Sequence, residues 1–116
     1  MHNFKELRIW QKSIDLTVNV YTALSTFPDA EKFGLISQMK RASVSISSNI
    51  AEGAGRNSDK EFRHFLSISL GSIFELETQL IISNRLGLVD NETAQELNDR
   101  ITELQKMIFA LMKTIS

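Results

Sequence analysis

Residues 43–60 read SVSISSNIAEGAGRNSDK, and this stretch decides the fold class. As a strand, Val44 and Ile46 alternate with serines, but the alternation stops at Ser48 and Asn49. As a helix, apolar and small residues keep steps of three or four over a longer range: Ile36, Met39, Ser43, Ile46 and Ile50. That length and period favour an α-helix. We expect the helix to end at Gly53 and Gly55, because glycine has the conformational freedom to stop and turn the chain.

The next helix begins at the end of the same stretch. Ser58 and Glu61 form the pattern of a capping box, in which two side chains satisfy each other's free backbone N–H groups. Two adjacent apolar stripes follow, and they predict a helix over 59–86 that is buried against more than one neighbour. Gly87 suits the left-handed position that follows many helices.

Two further helices complete the fold. The last follows Asp90, a plausible N-cap, and has apolar residues at alternating steps of three and four: Ala94, Leu97, Ile101, Leu104, Ile108, Leu111 and Ile115. The first covers about 4–26, and Pro28 then suits the first turn of a new helix. Short connections between four helices predict an all-α fold, an antiparallel up-down four-helix bundle in one domain over 1–116.

Composition narrows the function classes. The chain has no cysteine, which excludes disulfides and a thiolate nucleophile. The first residues do not resemble a secretory signal, and no apolar run approaches the ~20 residues that span a bilayer, so we expect a cytoplasmic protein without membrane contact. Net charge is −1. A near-neutral chain argues against strong nonspecific binding to nucleic acid, because such domains usually carry a pronounced basic surface.

A polar stripe on the second helix is a candidate interface. Its members are all polar and helically spaced, and they include two small hydroxyl residues: Gln38, Arg41, Ser45, Ser48, Asn49 and Glu52. One interpretation is a solvated face. The other is an interface, because short hydroxyl side chains let another backbone approach closely. We carry Gln38, Arg41, Asn49 and Glu52 forward as candidate interface or buried polar residues.

Glu77 is a second candidate of this kind. Its neighbours at three and four residues are all apolar: Ile73, Phe74, Leu80 and Ile81. An ionised carboxylate in such surroundings is costly unless it is paired. We therefore expect Glu77 to meet a cation from another helix or subunit, with Arg41 as the leading candidate.

Metal and catalytic motifs are incomplete. Glu61 and His64 have the Glu-x-x-His spacing of ferritin-like di-iron helices, but such sites need two such pairs and two further glutamates, and the only other histidine is His2. The serines of 43–48 have no evident base partner, and the glycines of 53–56 lack the strand and lysine of a phosphate loop. We expect no enzyme activity, metal, cofactor or small-molecule substrate.

Basic residues near the connection between the second and third helices are the candidate nucleic-acid contacts. They are Lys40, Arg41, Arg56, Lys60 and Arg63. Such cations either bind phosphates or form salt bridges within the protein. Contact with RNA or DNA is therefore the alternative to a purely protein-binding role.

The order of these motifs resembles a known family. The run FGLISQMKRASVSISSNIAEGAGRNSDKEFRHFLSISLGSIFELETQL, preceded by LRIWQKSIDL and followed by LG, resembles the four-helix-bundle proteins encoded within intervening sequences of bacterial 23S ribosomal RNA genes. The resemblance spans nearly the whole chain. One departure is Ser47, where many relatives have proline, so a kink in the second helix stays open.

The resemblance implies a bundle that assembles into a ring-like homo-oligomer, a pentamer, and it implies no enzyme activity. Some relatives are accessory proteins of diversity-generating retroelements, in which a basic surface binds nucleic acid and a reverse transcriptase. This chain lacks that strong positive charge. The resemblance therefore favours a self-assembling scaffold or interaction module, with a nucleic-acid-binding accessory protein as the alternative.

Overall fold

The computed structural model describes residues 1–115 and contains four long α-helices. Their bounds are Arg8–Leu24 (α1), Ser37–Ala54 (α2), Asp59–Arg85 (α3) and Asn91–Thr114 (α4). No strand occurs among the described residues. The predicted all-α four-helix bundle is confirmed.

Neighbouring helices contact each other along their lengths. From one end of α2 to the other, Met39 contacts Ser83 of α3, Ile46 accepts a hydrogen bond from Ser69, and Gly53 approaches Phe62. Residue numbers therefore rise along α2 as they fall along α3. On the other side of the bundle, Lys12 Nζ of α1 lies 2.9 Å from Glu103 Oε1 of α4. The hydrogen bond and charge of Lys12 lower the pKa of the Glu103 carboxyl.

The core lies between the four helices and takes apolar side chains from each of them. The largest fully buried ones are Leu16 and Val20 of α1, Ile46 and Ile50 of α2, Phe62, Leu66, Ile73 and Leu76 of α3, and Ile101, Leu104 and Ile108 of α4. These residues recur at steps of three and four, as expected for helices that each bury one stripe. The periodicity used to predict the helices thus also predicts the core.

Buried serines explain why the second helix is rich in hydroxyl groups. Ser43 and Ser47 are buried, and each donates to the carbonyl three residues earlier in α2. Buried Ser69 of α3 donates to the Ile46 carbonyl at 3.0 Å, so it links two helices. A buried hydroxyl needs such a partner because leaving it unpaired costs free energy. These serines are packing residues.

The N-terminal ends of α3 and α4 have the caps that the sequence predicts. Asp90 Oδ1 accepts from the Thr93 backbone N–H at 2.7 Å, and this bond lowers the pKa of the Asp90 carboxyl. Ser58 Oγ accepts from the Glu61 N–H at 3.2 Å. In a full capping box, the carboxylate would accept from the Ser58 backbone N–H. Here the Glu61 carboxylate accepts from the Ser58 hydroxyl instead, at 3.3 Å.

The turn after α3 forms the predicted left-handed cap. Gly87 has a φ of 76°, a conformation that glycine adopts without steric cost. The Leu88 N–H then donates to the Ser83 carbonyl at 2.9 Å, and the Gly87 N–H donates to the Asn84 carbonyl at 3.0 Å. This pair of bonds is the Schellman motif.

The first half of the chain is more irregular than predicted. Instead of one helix over 4–26, a 3₁₀ turn at Phe4–Glu6 precedes α1. Pro28 leads into a 3₁₀ turn and then a π-helical turn at Lys32–Ile36, so the second regular helix begins only at Ser37. Gly34 lies inside the π turn with a non-helical φ of −106° and ψ of −112°, which keeps α2 from extending back to the proline.

The end of α2 corrects the interpretation of its glycines. Gly53 is buried within the helix, and a Cβ there would lie 2.6 Å from the Phe65 Cβ. Gly53 is therefore needed for the close approach of α2 and α3. Gly55 is the C-cap, with an ordinary right-handed conformation. The helix is continuous through Ser47.

Candidate interaction surfaces

The side of α3 that points away from the core is unusually apolar. We define the α3 outer face by seven exposed or open positions: Ile68, Gly71, Phe74, Glu75, Thr78, Ile81 and Ile82. Its four large apolar side chains are each 39–48% exposed. Contiguous apolar patches of this kind on a soluble protein mark sites where another molecule binds.

The composition of α3 reflects this second apolar side. The helix is long and apolar enough to cross a membrane by length and composition, yet only 33% of its most apolar window is buried inside the bundle. The two apolar stripes predicted this breadth from the sequence, whereas Glu75 and Glu77 interrupt any run that would read as a membrane span. The core helix of a soluble protein meets the same criterion. The apolar composition of α3 therefore reflects a helix whose apolar surface is only partly covered within one chain.

A second apolar surface lies between α1 and α2. We define the α1–α2 groove by the residues that line it: Tyr21, Lys32, Phe33, Ile36, Ser37, Lys40, Arg41 and Val44. Phe33 is 89% exposed, and Tyr21 and Val44 are each 42% exposed. Lys40 Nζ lies 4.9 Å from the centre of the Tyr21 ring, a cation–π distance. Its charged lining residues are all basic.

Glu77 and Arg41 have separate partners within one chain. Glu77 is half-buried, and its Oε1 accepts from Gln105 Nε2 of α4 at 3.2 Å. Arg41 is exposed and donates from Nη2 to Gln38 Oε1 at 2.7 Å. The neutral Gln105 amide satisfies one carboxylate oxygen, and Glu77 makes no salt bridge within residues 1–115. A pairing of Glu77 with Arg41 between copies stays a prediction.

The polar stripe of α2 divides between a helix contact and the solvent. In its middle, the Ser45 and Ser72 hydroxyl oxygens lie 2.8 Å apart, and Asn49 Nδ2 donates to Ser45 Oγ at 3.0 Å. The Ser45–Ser72 contact joins α2 to α3, and Asn49 supports it from within α2. At its ends, Gln38, Arg41 and Glu52 are exposed. The polar stripe therefore contains two kinds of residue, some that contact α3 within the bundle and others that are exposed at the two ends of α2.

Gln79 is a buried polar residue that sequence analysis missed. It lies on α3 and is only 9% exposed, and its Oε1 has no hydrogen-bond partner among the described residues. Its helical neighbours Glu75 and Ser83 are polar as well, so the sequence alone does not separate it from a solvated flank. Most buried side-chain oxygens have a partner, which makes Gln79 an exception in this core.

The five candidate basic residues do not form one cluster. Lys40 and Arg41 lie in the first turns of α2, whereas Arg56 follows its end. At 1.5 Å per residue, that separation is roughly 20 Å along the helix. Only Arg56, Lys60 and Arg63 lie near the connection between α2 and α3. The prediction that all five surround that connection is wrong for Lys40 and Arg41.

Two of the remaining cations are engaged by the fold. Arg56 Nη2 lies 2.9 Å from Glu52 Oε1, and its guanidinium lies 4.8 Å from the Phe65 ring centre. Arg63 Nη1 donates to the backbone oxygens of Met112 and Ile115 at the end of α4. A cation there satisfies carbonyls that have no partner within the helix.

The two side chains of the candidate metal motif, Glu61 and His64, each contact a nearby residue of the chain. The Glu61 carboxylate bonds Ser58, and the His64 ring lies 5.7 Å from the Phe65 ring in an edge-on orientation. Within residues 1–115, no group of three or more His, Cys, Asp or Glu side chains is placed to hold a metal ion.

Comparison with known protein families gives a match over residues 5–110. The matching family model is that of the 23S rRNA-intervening sequence proteins. The chain belongs to this family. The structures that resemble this intervening-sequence protein include a protein of unknown function from the S23 ribosomal protein family of Bacteroides thetaiotaomicron. The two chains are 26% identical with a TM-score of 0.81, over 90% of this chain and 98% of the other. No curated protein matches the intervening-sequence protein.

Phe33 is the residue of these surfaces that sequence analysis of the intervening-sequence protein overlooked. It follows Lys32 and precedes Gly34 in a segment without regular periodicity, so no pattern placed it on a face. The available signal was a large aromatic residue in a short connection, where loops usually carry polar residues.

Proposed function

We propose that this intervening-sequence protein is a non-enzymatic cytoplasmic protein that self-associates and serves as a scaffold or interaction module. The α3 outer face is the observation that supports the proposal. Four large apolar side chains lie exposed on one helix, among small residues at Gly71 and Thr78. Covering them removes apolar surface from water, which is the main favourable term in protein association. The family resemblance makes a pentameric ring the assembly we propose.

Light scattering after gel filtration, combined with sedimentation, tests the self-association. We expect a mass several times that of the 13.2 kDa chain at micromolar concentration. Replacing Phe74 and Ile81 together by glutamine should shift the protein toward the monomer. The control is Val18→Gln, since Val18 is 60% exposed on α1 outside both surfaces. A clean wild-type monomer at micromolar concentration would contradict the proposal.

A nucleic-acid role is the second candidate, and the α1–α2 groove favours it. The groove sets exposed aromatic rings at Tyr21 and Phe33 beside Lys40 and Arg41. Single-stranded nucleic acid is bound by such combinations, because bases stack on rings while cations contact phosphates. This candidate therefore keeps two of the five predicted basic residues and adds two aromatic ones.

Titration of labelled single-stranded RNA at several salt concentrations tests this candidate. Binding through the groove should weaken steeply with salt and fall in the variant with Lys40→Gln and Arg41→Gln. Lys60→Gln together with Lys106→Gln is the matched control, because it removes two exposed charges that lie outside the groove. Equal losses in both variants would assign the binding to general charge.

A further inference from the structure

We propose that the α3 outer face of one copy packs into the α1–α2 groove of the next copy. The inference rests on the proposed self-association and adds the two surfaces that meet. Each copy then offers two different surfaces to two different neighbours, one through α3 and one through α1 and α2.

Charge complementarity is the first argument for this pairing. Between Arg63 and Arg85, α3 has no lysine or arginine, and the charged residue of its outer face is Glu75. Among the residues that line the groove, the charged ones are three cations at Lys32, Lys40 and Arg41. Complementary potentials of this kind select partners and fix their register.

The apolar parts of the two surfaces give the second argument. Phe74 and Ile81 on α3 are 47% and 48% exposed, and Phe33 at the groove is 89% exposed. A Cβ added at Gly71 would meet nothing within 4 Å, so the middle of the α3 outer face has open space for a partner side chain. Aromatic anchors that enter such open positions are typical of the centre of an interface.

The same charges disfavour packing of α3 against α3. A two-fold contact between outer faces would bring Glu75 of both copies to one interface. The α3 segment between Arg63 and Arg85 supplies no lysine or arginine to offset that charge. Like charges brought together at an interface are unfavourable. A pairing of two different faces avoids this repulsion and produces a closed ring or an open filament.

Charge reversal at one exposed residue on each surface tests the pairing. Glu75→Lys on α3 and Arg41→Glu in the groove each create like-charge contacts between identical copies. Each variant should weaken self-association by roughly tenfold or more. The double variant with both changes restores opposite charges and should regain most of the lost affinity.

Mixing the two single variants provides an independent readout. In the mixture, the lysine introduced on α3 of one variant meets the glutamate introduced in the groove of the other, and the reverse contact is the wild-type pair. Mixed assembly should therefore recover most of the lost affinity, although neither variant associates well alone, because four of the five contacts in a ring of five can join unlike variants. Sedimentation velocity of each variant and of the equimolar mixture, at matched total concentration, measures this recovery.

Controls and contrary outcomes separate this inference from the proposed function. Glu96→Lys and Lys106→Glu are exposed charge reversals on α4 outside both surfaces, and they should leave association unchanged. Circular dichroism should report wild-type helix content in every variant. A wild-type monomer would overturn the proposed function and the pairing together. If the wild type associates but the charge-reversed variants show no rescue, only the pairing is overturned. The pairing is also overturned if Arg41→Glu loses RNA binding without any change in association.

Discussion

The inner and outer sides of α3 use similar residues in opposite surroundings. Ile73 is fully buried, whereas its neighbour Phe74 is 47% exposed. Gly53 of α2 lies so close to the inner side that a Cβ there would lie 2.6 Å from Phe65 Cβ, whereas Gly71 on the outer side has open space around it. Apolar composition therefore predicts that a surface is covered, but it does not show whether the same chain or another copy covers it.

The largest expected effect concerns the adjacent pair Ile73 and Phe74. Ile73→Ala should lower the free energy of unfolding by about 2–5 kcal/mol, because it removes a fully buried side chain and leaves a cavity. Phe74→Ala should change the stability of the dilute monomer by about 0.5 kcal/mol or less. Urea unfolding at low protein concentration measures both. Equal losses in the two variants would mean that the outer side is also core.

The two glycines provide the next test. Gly53→Ala should destabilise the protein by about 1–3 kcal/mol, because its Cβ meets Phe65 and forces α2 and α3 apart. Gly71→Ala should instead stabilise the dilute protein by up to about 1 kcal/mol, since alanine is the better helix former and the site is open. Thermal unfolding followed by circular dichroism measures the opposite signs. A stabilising Gly53→Ala would refute the close approach.

Hydroxyl groups on the two sides of α3 should differ by a smaller amount. Ser69→Ala removes a buried hydrogen bond to the Ile46 carbonyl and should cost about 0.5–1.5 kcal/mol. Thr78 bonds only the Phe74 carbonyl of its own helix and is exposed, so Thr78→Ala should be neutral or slightly stabilising. Denaturant unfolding of both variants checks the ranking, and a costlier Thr78→Ala would reverse it.

The smallest expected effect is the coupling of Glu77 with Arg41 across copies. A double-mutant cycle with Glu77→Gln and Arg41→Met should give a coupling of about 0.2–1 kcal/mol in the association free energy, as for other partly exposed ion pairs. Glutamine at 77 keeps an acceptor for Gln105, which isolates the loss of charge. The unfolding free energy of the monomer should show no coupling, since the two side chains have other partners there. Zero coupling in association would remove this pair from the interface.

Sequence analysis succeeded where a local interaction decides the structure. Asp90 caps α4 and Gly87 follows α3 in the left-handed conformation, because each acts on backbone groups only a few residues away. The long apolar stripes of α3 and α4 likewise predicted helices close to their observed bounds. Such features need no knowledge of distant residues.

Sequence analysis failed where the outcome depends on packing between helices. The start of α2 was predicted too early, since Pro28 permits a helix but does not reveal the turns around Gly34. The role of Gly53 depends on Phe65, a residue of the next helix. Lys40 and Arg56 were assigned to one cluster, although most of the length of α2 separates them.

The apolar composition of α3 also affects how the protein is made. During synthesis α3 emerges before α4, so its inner side can pack on α2 while the surface that α4 covers stays in water until residues 91–114 follow. Partly folded chains that expose apolar surface aggregate readily and are typical clients of chaperones. The helix that most needs partners in the finished protein is therefore also the segment that most needs protection on the ribosome.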